Sequence, residues 1–189
     1  MYDKYSIVIY TENTPNPNAV KFLTNRKLSE IGVKEFQKKD LKKIDNSFIK
    51  NLLKSNGIEL ILISENFISV KKNDNVSWDI LKPSIISTIN DYFEKNKKPI
   101  LLKKNKGDSK KEDDSSVVKE IKKVLDSKIR PAVSRDGGDI EFVSFNKGIV
   151  KVQLRGSCSG CPSSLMTLKN GVQNLLCHYV KEVTSVEAL

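Results

Sequence analysis

The sequence has no run approaching the roughly 18 apolar residues that a membrane-spanning helix needs; its longest apolar stretch, Ile58 to Ile63, is interrupted by Glu59. No basic, apolar and small-residue signal or Arg-rich amphipathic leader opens the chain, since Met1-Tyr2-Asp3-Lys4-Tyr5 runs directly into a strand-like segment. The expectation is a soluble protein without a membrane partner. Cysteine is scarce and odd in number, 3 residues, which excludes a complete disulfide framework and predicts reduced thiols. Arginine is scarcer than the formal charge of +10 suggests: only four of the 33 basic residues are Arg, namely Arg26, Arg130, Arg135 and Arg155. Base recognition favours Arg forks stacked with aromatics, and such clusters are missing. The positive excess is also spread evenly, at +3 over residues 1–96, +3 over 97–116 and +4 over 117–189. It reads as a diffuse lysine bias, with no nucleic-acid partner. There is no internal repeat.

What is present is enough for packed cores. The chain has 189 residues, 38% of them hydrophobic and 30% charged, which excludes global disorder and fits two small domains. The boundary lies at 97–116, KKPILLKKNKGDSKKEDDSS, in which hydrophobic periodicity stops after Leu102; this segment reads as a flexible charged linker. It separates domain 1–96 from domain 117–189, and the expected fold class is α+β in both.

In the first domain, Ser6 to Thr11 and Ala19 to Thr24 read as strands joined by the turn Thr14-Pro15-Asn16-Pro17-Asn18. A helix over Phe48 to Lys54 is expected, capped by Ser47 and stopped by Asn56-Gly57. Strands Ile58 to Ile63 and Phe67 to Lys71 follow. A second helix begins at Trp78 behind a Ser77 cap, with Ile80, Leu81, Ile85, Ile89 and Phe93 inward and Pro83 tolerated near its start. In the second domain the pattern predicts a helix over Val117 to Ile129, interrupted near Pro131. An Asp136-Gly137-Gly138-Asp139 turn follows, then a hairpin of Ile140 to Phe145 with Ile149 to Leu154. Pro162 opens a helix through Tyr179 with Leu165, Leu168, Val172, Leu175 and Leu176 inward.

Chemistry concentrates in Gly156-Ser157-Cys158-Ser159-Gly160-Cys161, between that hairpin and that helix. A helix N-terminus, with Arg155 and Lys169 adding positive charge, favours thiolates at Cys158 and Cys161. Gly156 and Gly160 permit tight turns that present N–H groups to sulfur. An iron-sulfur cluster or structural zinc takes about four ligands, however, and this motif supplies two. Cys177 and His178 lie about four helical turns further on, beyond roughly 20 Å; they read as an apolar filler and a structural or surface residue. An economical completion is a homodimer whose two C-x-x-C motifs grip one shared cluster. A zinc-bridged interaction dimer and a dithiol–disulfide redox protein use the same spacing and remain open on spacing alone.

Four ordered motifs narrow the choice: Ile129-Arg130-Pro131, Asp136-Gly137-Gly138-Asp139-Ile140-Glu141-Phe142, Gly156 to Ser164, and Thr167-Leu168-Lys169-Asn170-Gly171-Val172. Together they resemble the NifU-like C-terminal domain of Nfu proteins. Thr14 to Ala19 with Lys21-Phe22-Leu23, Phe67 to Val70, and Trp78 with Leu81-Lys82-Pro83 resemble the Nfu N-terminal domain. The resemblance implies a non-enzymatic scaffold or carrier that binds a 4Fe-4S cluster, with 2Fe-2S as a second form, between two subunits through Cys158 and Cys161. Its partners would be recipient apoproteins and upstream cluster assembly proteins. It implies a structural role for Asp136 to Asp139, with the aspartates as caps. Arg130 and Arg155 would either help neutralise the cluster or lie solvated at the surface. The Thr14 to Ala19 motif would fix a turn or dock a partner. The long charged linker and the extra Cys177 depart from the family pattern. The missing leader favours a bacterial cytoplasmic protein, with a mature mitochondrial matrix form as the alternative.

Overall fold

The computed structural model describes residues 7–103, 114–160 and 162–189, without the side chains of 162–168. Two compact units result, Met1–Lys103 and Lys104–Leu189, each with its own sheet and helices. Ser6, the middle of the charged linker, Cys161, and the side chains of Leu165 and Leu168 lie outside the described residues.

The first unit is a five-stranded antiparallel sheet in the order β1 (Ile9–Asn13), β2 (Ala19–Thr24), β5 (Phe67–Lys72), β4 (Ile58–Ile63), β3 (Lys34–Gln37). Strand alternation sends Val20, Phe22, Ile68 and Val70 into the main core, where they meet α1 (Ser47–Lys54) and α2 (Trp78–Lys95). Asn46, not Ser47, caps α1. Its extended backbone holds the side-chain oxygen 3.1 Å from the Ile49 N–H, while Ser47 is already inside the helix. Ser77 does cap α2, accepting from the Asp79 N–H at 3.1 Å, and the helix runs through Pro83. Its buried stripe is Leu81, Ile85, Ile89 and Phe93; Ile80 is 70% exposed, because a strict four-residue step turns the preceding position away from the sheet. Thr14 to Ala19 does form a turn. The Thr14 hydroxyl donates to carbonyls of Asn16 and Ala19, each at 3.0 Å, and Trp78 Nε1 donates to the Pro17 carbonyl at 3.0 Å.

The packed unit continues past residue 96. Ile100 and Leu101 are buried in the core; Leu101 N–H donates to Leu28 O at 3.0 Å, and its own carbonyl accepts from Glu30 N–H at 2.8 Å. The lysines around them hide these two apolar side chains in a compositional reading. Strand β3 and the 3-10 turn Lys38–Lys43 are short and lysine-rich, with no alternation by which to predict them.

In the second unit, α3 (Ser116–Val124) is capped by Ser115 and passes through one widened turn, Leu125–Ile129, into α4 (Arg130–Arg135). Pro131 therefore does not end the helical region. The Arg130 N–H reaches back five residues to Leu125 O, and this wider turn delivers a proline, which has no N–H, at the start of α4. Strands β6 (Gly138–Asn146) and β7 (Ile149–Gly156) form the expected hairpin. Its two-residue loop, Lys147-Gly148, has positive φ at both positions. The main chain then runs through α5 (Pro162–Tyr179) to β8 (Ser185–Ala188), which pairs parallel to β7. Val172 and Leu176 are buried under the sheet, whereas Leu175 is 37% exposed, one position off that face.

Truncating Leu101 tests whether the core extends this far. Leu101→Ala should lower unfolding stability by about 2–4 kcal/mol in urea; an unchanged midpoint would return residues 97–103 to the tether.

Candidate functional site

Strand β7 ends at Gly156 and α5 begins at Pro162, so the cysteine motif occupies the turn between a strand end and a helix N-terminus. Gly156 and Gly160 both take positive φ, 68° and 69°, a conformation that side-chain-bearing residues rarely adopt. Ser159 N–H donates to Gly156 O at 3.1 Å, closing the turn. Cys158 is not on an exposed surface: it is 4% accessible and belongs to the apolar core of the second unit.

The reason lies across the hairpin. Gly138 pairs with Gly156 in the strand register, and Gly138 lies directly against Cys158. A Cβ placed on Gly138 would overlap the Cys158 sulfur and sit 2.9 Å from the Arg155 carbonyl, so only glycine leaves room for the thiol. Next to it, Ser157 is 2% accessible; its N–H donates to Gly137 O at 3.3 Å and its hydroxyl donates to Asp136 O. The Asp136 to Asp139 segment is therefore the floor on which the cysteine loop rests. Neither Ser157 nor the close approach at Gly138 is visible in the motif by itself; the doubled glycine facing a Gly-Ser-Cys is the only signal.

Of the two aspartates in this segment, Asp136 is the C-cap residue of α4, its N–H donating to Ala132 O at 3.3 Å, whereas Asp139 is not a helix cap. Asp139 is buried at 6% accessibility and accepts from Arg130 Nε at 2.9 Å; a second guanidinium N–H reaches Ile140 O at 2.9 Å, and a third reaches Asp126 at 2.5 Å. Arg130 thus ties the widened turn and α4 to the first residues of β6. Arg155 is ion-paired to Glu141. Both arginines considered for neutralising a bound group are engaged by carboxylates. Burial pushes the Asp139 carboxyl above its usual range, while the charge of Arg130, the Ile140 N–H and Arg155 pull it back.

Cys177 is half-buried against the core and His178 is exposed, edge-on to Tyr179 at 4.9 Å between ring centroids. Lys169 is exposed. Among the described residues no group of three or more His, Cys, Asp or Glu side chains could hold a metal ion. The described part of one chain does not complete a four-ligand site.

The Asp139 arrangement gives a pH-dependent expectation. A carboxyl whose folded-state pKa is raised loses its proton first in the unfolded chain, so stability falls as pH rises from the unfolded value to the folded one. Arg130→Met raises that folded value further. The variant should lose about 1–2 kcal/mol at neutral pH, a modest figure because the Arg130 side chain is 39% exposed. The deficit should shrink near pH ~4, as read by urea unfolding. Equal deficits at both pH values would contradict a charge-based clamp.

The two units match family models: residues 9–96 the Nfu/NifU scaffold protein N-terminal model, and residues 121–187 the NifU-like domain model. The chain is similar to NifU-like protein 4, mitochondrial, and NifU-like protein 5, mitochondrial, of Arabidopsis thaliana. Identity is 39% over 188 residues in each case, covering 96% of this chain and 66% and 68% of those proteins. It is 38% identical over 180 residues to the human NFU1 iron-sulfur cluster scaffold homolog, mitochondrial, covering 95% of this chain and 70% of that protein. It thus spans about two thirds of the length of these curated relatives. With both models in this order and this likeness along nearly its whole length, the chain belongs to the Nfu family.

Proposed function

We propose that this protein is an iron-sulfur cluster scaffold and carrier, in which Cys158 and Cys161 of two copies hold one 4Fe-4S cluster as cargo and pass it to recipient apoproteins. The observation that carries this reading is the Cys158 thiol, built into the turn before α5 and inside the segment that matches the NifU-like domain. The human relative's name as an iron-sulfur cluster scaffold supports the same cargo. Two thiolates per chain are half of the usual cluster ligand set, so a homodimer completes it. The role requires no catalysed reaction. Recipient thiolates displace the four carrier thiolates one iron–sulfur bond at a time, and a 2Fe-2S form is a second cargo on the same ligands.

The first unit would recruit recipients or upstream assembly proteins. The relatives' mitochondrial names support the organelle matrix over a bacterial cytoplasm.

Anaerobic reconstitution with iron and sulfide tests the proposal, read by absorption and Mössbauer spectra and by iron counted per dimer. Cys158→Ser and Cys161→Ser should each abolish cluster binding, and Cys177→Ser should retain it. Zinc in the purified protein with no stable cluster would favour the interaction dimer instead, and a reversible dithiol–disulfide couple without cluster uptake would favour the redox protein. Loss of cluster in the Cys177 variant would refute the ligand assignment.

A further inference from the structure

The residue before the first cysteine has more anchoring contacts than a turn needs. Ser157 is almost wholly buried, its backbone N–H is bonded to Gly137 O at 3.3 Å, and its hydroxyl is bonded to Asp136 O. Its Oγ is also 3.8 Å from the Cys158 sulfur. That sulfur also lies directly against Gly138, where no Cβ stands in its way. The thiol thus rests on a glycine floor, next to a neighbour fastened to the preceding turn. The loop containing it is bounded by Gly156 and Gly160, whose positive φ values mark positions where large backbone rotations cost little.

A thiol at 4% accessibility cannot meet iron, sulfide or a recipient's thiolate without movement. We propose that Ser157 is a positioning residue that acts as a latch on Cys158. With the hydroxyl bonded to Asp136 O the thiol is stowed against Gly138; when that bond opens, the 157–160 turn swings out and the sulfur reaches solvent. The bearing of the latch on cluster loading rests on the carrier reading above, whereas the latch itself does not. One neutral hydroxyl–carbonyl bond shifts the closed-to-open ratio about three- to tenfold. That is enough to keep the thiol mostly stowed and small enough for frequent local opening.

The test uses the full-length apo chain under reducing conditions, treated with iodoacetamide. The thiolate displaces iodide and forms a stable C–S bond, and peptide mass spectrometry reads each cysteine separately. Ser157→Ala should alkylate at Cys158 about three- to tenfold faster than the wild type, with the rate at Cys177 unchanged as an internal reference. In the wild type, the Cys158 rate should stay nearly flat through urea concentrations below the unfolding transition, because opening one turn exposes little surface. An unchanged Cys158 rate in Ser157→Ala overturns the latch. So does a slower rate, which would make the hydroxyl a donor to the thiolate, and so does an equal rise at Cys177, which signals general loosening. A wild-type rate that climbs with the slope of global unfolding overturns it without recourse to any variant. Failure of the wild type to take up a cluster would refute the carrier reading while leaving these alkylation rates untouched.

Discussion

Because Gly138 has no side chain, the Cys158 sulfur can lie against the first residue of β6, and much of the surrounding chemistry keeps the two strand ends in that relation. Arg130 joins Asp126, Asp139 and the Ile140 carbonyl, so one guanidinium links the helical region before the hairpin to the start of β6. The widened turn at Leu125–Ile129 leads directly into that arginine, and its extra residue shifts the phase of the helix that follows. Ser157 then fixes the loop to the same floor through Asp136 O and Gly137 O. A contact of atomic dimensions is thereby held by three elements that are distant in sequence.

The first unit is organised around a different seam. The Pro17 carbonyl accepts from the Trp78 indole, Asn18 donates to Asp74 at 2.7 Å, and the Lys72 ammonium lies 5.8 Å from the Trp78 ring centroid. The opening turn, the end of β5 and the start of α2 meet there, which gives the two prolines and two asparagines of this turn a structural partner in the single tryptophan. Within the turn the Asn16 carbonyl accepts from the Thr14 hydroxyl and the Ala19 N–H, while the Asn18 carbonyl accepts from Lys72 N–H of β5 and the Pro17 carbonyl from the indole.

Much of this was legible in the residues. Ala19–Thr24, Ile58–Ile63 and Pro162–Tyr179 have the bounds that alternation and helix-start signals predict, and the Lys147-Gly148 hairpin follows from turn chemistry alone. The misses have local causes. Asn46 and Ser47 are both good caps and differ only in backbone angles that tertiary packing decides. Ile100 and Leu101 sit within a charged stretch whose average conceals them. Strand β8 is four residues of mixed character that is a strand only because β7 is beside it. At the site, the turn in which the cysteine motif lies, between a strand end and a helix start, was readable from the sequence, whereas the burial of Cys158 was not. It depends on Gly138, some twenty residues earlier, and a missing Cβ leaves no periodic signal.

The parallel pairing of β8 has a mechanical side. It runs from Ile149 to Val152 of β7 and no further, so among the described residues Gln153 to Gly156 have a strand neighbour on the β6 side only. Strand β7 is therefore clamped on both edges at its root and on one edge toward the cysteines, which makes it a cantilever rather than a beam. Its free half can bend with the loss of one ladder instead of two, so compliance increases toward the thiol while the hydrophobic root of the unit stays still. The asymmetry of the ladders thus leaves the end of β7 that carries the cysteine turn with the fewest strand partners.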